Sequence, residues 1–303
     1  MALYLALSAK RIRKMKSKST VSAGFSRSKI VLTAMIFVFG VIAWMNSSFR
    51  SEARIATENR VMASDSALRL IHVYVALCDN DSQGIVPVSK RMGNGNDPNN
   101  NLYWGNGYGV RTFFNASEDW RLLHTIKNPV TDVLERCVWK HRRYNCIIVA
   151  DAYRGARIKP CTINFLKSSS GNGIDTLTIN DNGSPMTLML GKAHLVCYVG
   201  HDGLMDFEVP DPPANKDSAN KDVMILACAS KMYFKDVIKT AGANPVLWTT
   251  NLMGPEAYTL KAAIDGWLLH ETGEQICERA AKAYDQYTHC GIGGARRLFT
   301  SGF

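Results

Sequence analysis

An α/β fold with a mostly parallel central sheet is what this sequence predicts, on three observations. Predominantly apolar runs recur at Leu70–Cys78, Tyr144–Ala150, Leu195–Val199, Val223–Leu226 and Pro245–Thr250, and each stops at Asp, Asn, Gly or Ala. Continuous apolar runs of this length, rather than alternating ones, read as strands buried on both faces. Stretches of helical character fall between or after them, at Glu118–Trp139, Lys231–Thr240, Pro255–Leu269 and Gly273–Tyr287. Finally, 303 residues at 46% hydrophobic content suffice for a full core. Together these predict an α/β domain whose helices pack against the sheet.

The chain begins with a basic leader, residues 1–29, containing Lys10, Arg11, Arg13, Lys14, Lys16, Lys18, Arg27 and Lys29. Ile30 to Met45 follows as sixteen uncharged, apolar residues. A basic flank before an apolar run is an export signal that leaves the basic side in the cytoplasm. The expectation is a membrane anchor with the domain outside the cytoplasm, on the periplasmic or extracellular face; a cleaved signal, giving a secreted protein, is the other fate. Residues 46–66 read as a stalk, residues 67–290 as the α/β domain and residues 291–303 as a loose tail.

Within the domain, Leu70–Cys78 is the first strand, with Asp79-Asn80-Asp81 at its carboxyl end. Gly93 to Asn101, GNGNDPNNN, reads as a flexible loop. Glu118–Trp139 is expected to be a crossover helix leading to the strand Tyr144–Ala150, with Asp151 at its end. Asn180-Asp181-Asn182-Gly183 between alternating segments predicts a hairpin. Pro210 to Asn220 is polar and Pro-rich, short for the helix that usually joins parallel strands. Thr272 and Gln275 are spaced as a capping box opening the last helix.

The formal net charge of +10 resembles a nucleic-acid signal until it is located. Residues 1–50 hold nine Lys and Arg and no acid, which leaves 27 basic against 26 acidic residues elsewhere. The domain is nearly neutral, which argues against nucleic acid as a partner. The eight cysteines form no CxxC pair and no zinc-like Cys/His spacing, so no metal is expected. Cys137 with Cys146 and Cys277 with Cys290 are the local pairs that export would allow to form disulfides.

Two strands deliver a reactive side chain where they stop. Leu195–Val199 runs into Gly200-His201-Asp202-Gly203, and Val223–Leu226 into Ala227-Cys228-Ala229-Ser230. In open α/β sheets ligands bind beyond the carboxyl ends of the strands, so parallel neighbours would place an imidazole and a thiol on one rim.

The ordered segments HLVCYVGHDG and VMILACAS resemble those of the caspase-like cysteine peptidases, the group that includes legumain, gingipain and clostripain. The segment Gly203 to Pro210 is similar to the legumain stretch after the histidine. The resemblance implies a caspase-like three-layer sandwich with a mostly parallel central sheet, and an endopeptidase that cleaves peptide or protein substrates without a cofactor. Cys228 would be the nucleophile, forming a thioester acyl-enzyme, and His201 its partner, lowering the thiol's pKa. The backbone N–H groups of Cys228 and of Asp202 or Gly203 would form the oxyanion hole. Asn80 resembles the residue that orients the histidine, and Asp151 would line a pocket favouring a basic residue before the cleaved bond. The chain departs from the family in carrying Asp202 where Gly directly follows the histidine. The alternatives are a catalytically inactive caspase-like module and another α/β binding domain on a membrane stalk.

Overall fold

The computed structural model describes residues 67–181, 183–216 and 220–303; the leader, anchor and stalk expected over residues 1–66 lie outside them. Among the described residues, no helix is long and apolar enough to cross a membrane. The strands are β1 (Arg69–Ala76), β2 (Trp120–Lys127), β3 (Val133–His141), β4 (Cys146–Tyr153), β5 (Thr176–Asp181), β6 (Ser184–Met189), β7 (Leu195–Val199), β8 (Asp222–Leu226), β9 (Asn244–Thr249) and β10 (Phe299–Thr300). The α-helices are α1 (Val110–Ala116), α2 (Ile158–Ser169), α3 (Ser230–Ala241), α4 (Ala257–Leu268), α5 (Gly273–Thr288) and α6 (Ile292–Leu298).

Eight strands form one sheet in the order β10-β9-β8-β7-β1-β4-β3-β2. The five central strands, β9 to β4, are parallel; β10 pairs antiparallel with β9, and β3 runs antiparallel between β4 and β2. Every residue of β1, β4 and β7 is buried, as continuous apolar runs require. Odd residues of β1 (Ile71, Val73, Val75) pack into the layer of α1, α4, α5 and α6, while Leu70, Tyr74 and Ala76 face α2 and α3. The α/β class and the mostly parallel sheet thus hold, in an arrangement compatible with a three-layer sandwich.

The first parallel strand, β1, lies between the second, β4, and the third, β7, so the chain leaves β1 on one side and returns on the other. The carboxyl ends of β1 and β7 therefore flank the topological switch point, where α/β sheets open a crevice.

Several expectations change. Residues 118–139 form β2 and β3, an antiparallel pair, with no helix. A bulge at Leu122/His124 breaks the period of two and leaves apolar residues at helix-like spacing. Residues 93–101 are held in turns by Asx-type bonds, Asn94 Oδ1 accepting from Asn96 N and Asp97 Oδ1 from Asn99 N. The buried Asn101 accepts from Cys78 N at 3.0 Å and donates to Cys78 O at 2.8 Å and to Asn94 O at 3.1 Å. Residues 291–303 are no loose tail, because they contain α6 and β10. The link from β7 to β8 carries only a 3-10 turn, Gly203–Met205, among its described residues. All eight cysteines are free thiols, so neither local pair is bridged. The hairpin β5–β6 and the Thr272–Gln275 capping box form as expected.

Candidate functional site

The pairing of β7 with β8 fixes the rim. Val199 faces Leu226 in register, so His201 and Cys228 each stand two residues beyond the last matched pair. Gly200 N donates to Leu226 O at 3.2 Å and keeps the strands together where they end. Gly200 has φ of 149°, and a Cβ there would meet Ala76 O of β1 at 2.8 Å. Only glycine passes that close to β1 while steering His201 onto the rim.

Cys228 lies in a sharp turn from β8 into α3, with Ala229 in the left-handed region at φ 46°. A non-glycine residue there carries a cost of roughly 1–2 kcal/mol, so the surroundings must hold the turn. They do: Ala229 N donates to Asn251 O at 2.9 Å, and Ser230 Oγ donates to Ile225 O at 3.0 Å. Ser230 N also reaches Thr249 Oγ1 on β9. The thiol is partly exposed, lies 3.5 Å from Met253 O and accepts from Met253 N at 3.4 Å. Burial pushes the Cys228 thiol up; the Met253 N–H opposes this and the charge of Asp202 adds to it. His201 is not among the groups that set this shift, and its Nε2 faces Asp206.

His201 is buried at 6% exposure, and its Nε2 stands 2.7 Å from Asp206 Oδ2. Tyr198 Oη donates to the His201 carbonyl at 2.8 Å and fixes the backbone. Asp206 reaches the histidine because the 3-10 turn Gly203–Met205 folds the chain back, with Asp206 N donating to Gly203 O at 2.9 Å. Gly84 N, from the loop after β1, donates to the same Asp206 oxygen at 3.2 Å. Asp206 escaped sequence reasoning; the signal was Asp202 capping a short turn, which returns a residue four positions later towards the histidine.

Asn80 and Asp151 are drawn elsewhere. Asn80 Oδ1 accepts from Val88 N and its Nδ2 donates to Val88 O, so its amide closes the loop after β1, and no bond to His201 forms. Asp151 is not at a strand end, since β4 continues to Tyr153. It is 1% exposed, held by two bonds from Arg136 at 2.6 and 2.8 Å and one with His72 Nε2 at 2.9 Å. Its charge is matched by Arg136 inside the fold, at the wall of a cavity that His72, Tyr153 and Asp175 also line.

Asp202 is fully buried. Its Oδ1 accepts from Leu204 N at 3.0 Å, while Oδ2 has no partner. Burial, with the neighbouring Asp206 charge, pushes its carboxyl up to about 7, against the opposing Leu204 and Met205 N–H groups. A Cβ at Gly203 would stand 2.6 Å from the tip of the half-buried Phe207 ring, which would have to shift. Among the described residues, no hydrogen bond takes up the N–H of Cys228, Asp202 or Gly203. Nor do three His, Cys, Asp or Glu side chains converge, among those residues, in a group that could hold a metal ion.

Comparison with protein-family models, with curated proteins and with solved structures finds no match for this chain.

Proposed function

We propose that the chain is a cysteine endopeptidase of caspase-like type in which His201 and Cys228 act as a dyad, exported and tethered through residues 30–45. The observation that carries this reading is the register of β7 and β8, which sets an imidazole and a partly exposed thiol at equal offsets beyond two neighbouring parallel strands. Asp206, not Asn80, orients the histidine: it accepts from Nε2–H, which leaves the Nδ1 lone pair as the base.

The thiol is neutral at rest, so proton transfer accompanies attack. Cys228 Sγ forms a bond to the peptide carbonyl carbon, its proton passes to His201 Nδ1, and the carbonyl π electrons move to oxygen. Collapse breaks the C–N bond, the imidazolium proton goes to the leaving amine, and a thioester remains. Water then adds with His201 as base, the C–S bond breaks, and thiol and carboxylic acid are released. The free N–H groups of Cys228 and Gly203 are suited to the developing oxyanion, each such donor being worth about 3 kcal/mol.

The test is cleavage of a mixed peptide library by the wild type, Cys228→Ala and His201→Ala, with a mass-spectrometric search for an acyl adduct on Cys228. Loss of cleavage in both variants, with an adduct in the wild type, is expected; cleavage that survives Cys228→Ala sinks the reading. A catalytically silent module is the second reading, favoured by the Cys228 thiol resting on the Met253 backbone rather than on His201. A wild type that binds peptides yet neither cleaves them nor is acylated would establish it.

A further inference from the structure

A cavity of about 870 Å³ is lined by residues of β1, β4 and α2 and by the segments 130–131, 172–175, 190–191 and 213–216. It shares no residue with the rim that carries His201 and Cys228. Sites for small molecules measure roughly 300–1,000 Å³, so this one has room for an organic guest. Bonds between distant parts of the chain build its wall. Asn172 Nδ2 donates to Ala214 O at 2.7 Å, and Lys216 N donates to Ser170 O at 3.0 Å. The end of α2, which carries Lys167, is thereby tied to the segment that carries Lys216. Gly191 passes so close to Gly173 O that a Cβ there would have no room.

The polar groups of this wall are not all spent on the fold. His72 is 2% exposed, and its Nε2 stands 2.9 Å from Asp151 Oδ2 while its Nδ1 has no partner. A buried polar atom of that kind calls for a donor or acceptor from outside the fold. Tyr153 Oη accepts from Asn164 Nδ2 at 3.1 Å, and both residues line the cavity. Among the described residues no acceptor takes the Tyr153 hydroxyl proton. The two acids of the wall, Asp151 and Asp175, are both held by Arg136, at 2.6 and 2.7 Å. Lys167 and Lys216 are exposed and have no ion-pair partner among the described residues. Apart from His72, three cations against two carboxylates leave one net positive charge.

We infer that this cavity is a binding site for a small monocarboxylate with an apolar body. The surplus of one positive charge matches a monovalent head, with Lys167, Lys216 and the Tyr153 hydroxyl as its donors. A phosphate dianion fits less well: the one guanidinium at the site is already spent on Asp151 and Asp175, and Lys167 stands in the last turn of α2, where the helix dipole is negative. The apolar body is supplied with contacts at the lip and within. Ile174 is 91% exposed and Val130 41%, a poor use of both residues unless something covers them, and Leu190 and the Tyr74 ring stand inside. The site is independent of the peptidase reading and would serve equally in a silent module.

The full-length protein in lipid nanodiscs is titrated by calorimetry with naphthoate and with naphthylmethylamine, which joins the same ring to a cation; empty discs are the blank. Naphthoate should bind at one site with a dissociation constant below about 1 mM, and the amine should bind at least about tenfold more weakly. Naphthoate should also slow hydrogen exchange over residues 164–175 and 187–192. The double variant Lys167→Gln, Lys216→Gln should weaken naphthoate about tenfold, the scale of two partly exposed ion pairs. Ile174→Asp, which sets a negative charge on the lip, should weaken it by a similar factor. All three side chains are exposed, so these replacements take nothing from the core.

Equal affinity for the acid and the amine overturns the inference, as does naphthoate binding that the double variant leaves unchanged. Exchange protection confined to other segments overturns it as well, and so does a wild type that shows neither heat nor protection at about 1 mM. Cys228→Ala should bind naphthoate as the wild type does; loss of binding in that variant would place the guest at the rim and overturn the assignment to this cavity.

Discussion

Replacing Asp151 with alanine tests whether the charge in mid-sheet is structural. Asp151 and Arg136 are 1% and 3% exposed, and the guanidinium holds both carboxylate oxygens. Removing one member of a buried pair costs about 3–5 kcal/mol, because the other is left charged and unsolvated. Arg136 would keep Asp175 at 2.7 Å, and that carboxylate is 40% exposed, so the lower end, about 3 kcal/mol, applies. His72 would lose its Nε2 partner as well, and its Nδ1 already has none. With a urea m-value of about 2–3 kcal/mol/M, the denaturation midpoint should fall by about 1 M or more. Burial alone would raise the Asp151 carboxyl, but the bonds and charges of Arg136 and His72 outweigh it and hold it below the ordinary carboxylate range. A depressed acid stabilises the fold above its unfolded pKa, about 3.9, and that stability is lost as pH falls further. The wild type should show this acid limb and Asp151→Ala should lack it. A midpoint shift under about 0.2 M, or intact stability with altered peptide preference, would refute the structural assignment.

Asp202 titrates in the opposite sense: its raised carboxyl means the folded protein binds the extra proton between about pH 4 and pH 7, so stability falls as pH rises through that window. Asp202→Asn should flatten this slope and leave the protein more stable than the wild type at pH 8, measured by urea denaturation at several pH values. Asn101→Ala removes a buried amide that ties Cys78 and Asn94 together. Its oxygen also accepts from Tyr103 N, so four bonds are lost; at about 1 kcal/mol each, stability should drop by roughly 4 kcal/mol, with faster hydrogen exchange over residues 92–104. Ala229→Gly relieves the left-handed strain at φ 46°. It should raise the melting temperature slightly, by the equivalent of about 0.5–1 kcal/mol; a lower one would mean that the turn needs the methyl group.

The parallel sheet was readable because strands buried on both faces must be apolar throughout, and the limits of Leu195–Val199 coincide with β7. His201 and Cys228 were readable for the same reason, each being the first reactive group after such a run. The β2–β3 pair was not, because its edge strand is half exposed and bulged, which mimics helical spacing. Asp206 was hidden because its contact with His201 arises from a short turn whose geometry no local pattern of apolar residues records. The roles expected of Asn80 and Asp151 depended on which way a loop and a strand end turn, and the bonds to Val88 and Arg136 decide that in the folded chain.

The two margins of the sheet are guarded differently, which bears on how the protein survives at high concentration. β2 carries Arg121, His124 and Lys127, charges that discourage a second chain from adding a strand. β9 is buried from Pro245 to Thr249 and has no such gatekeepers; its outer edge is covered by the two residues of β10. That cover is pinned by Thr250 Oγ1 on Arg297 O and Gly302 N on Pro245 O. Peeling away residues 299–303 would uncover the outer backbone edge of β9, the kind of unpaired, apolar edge that a second chain can add a strand to.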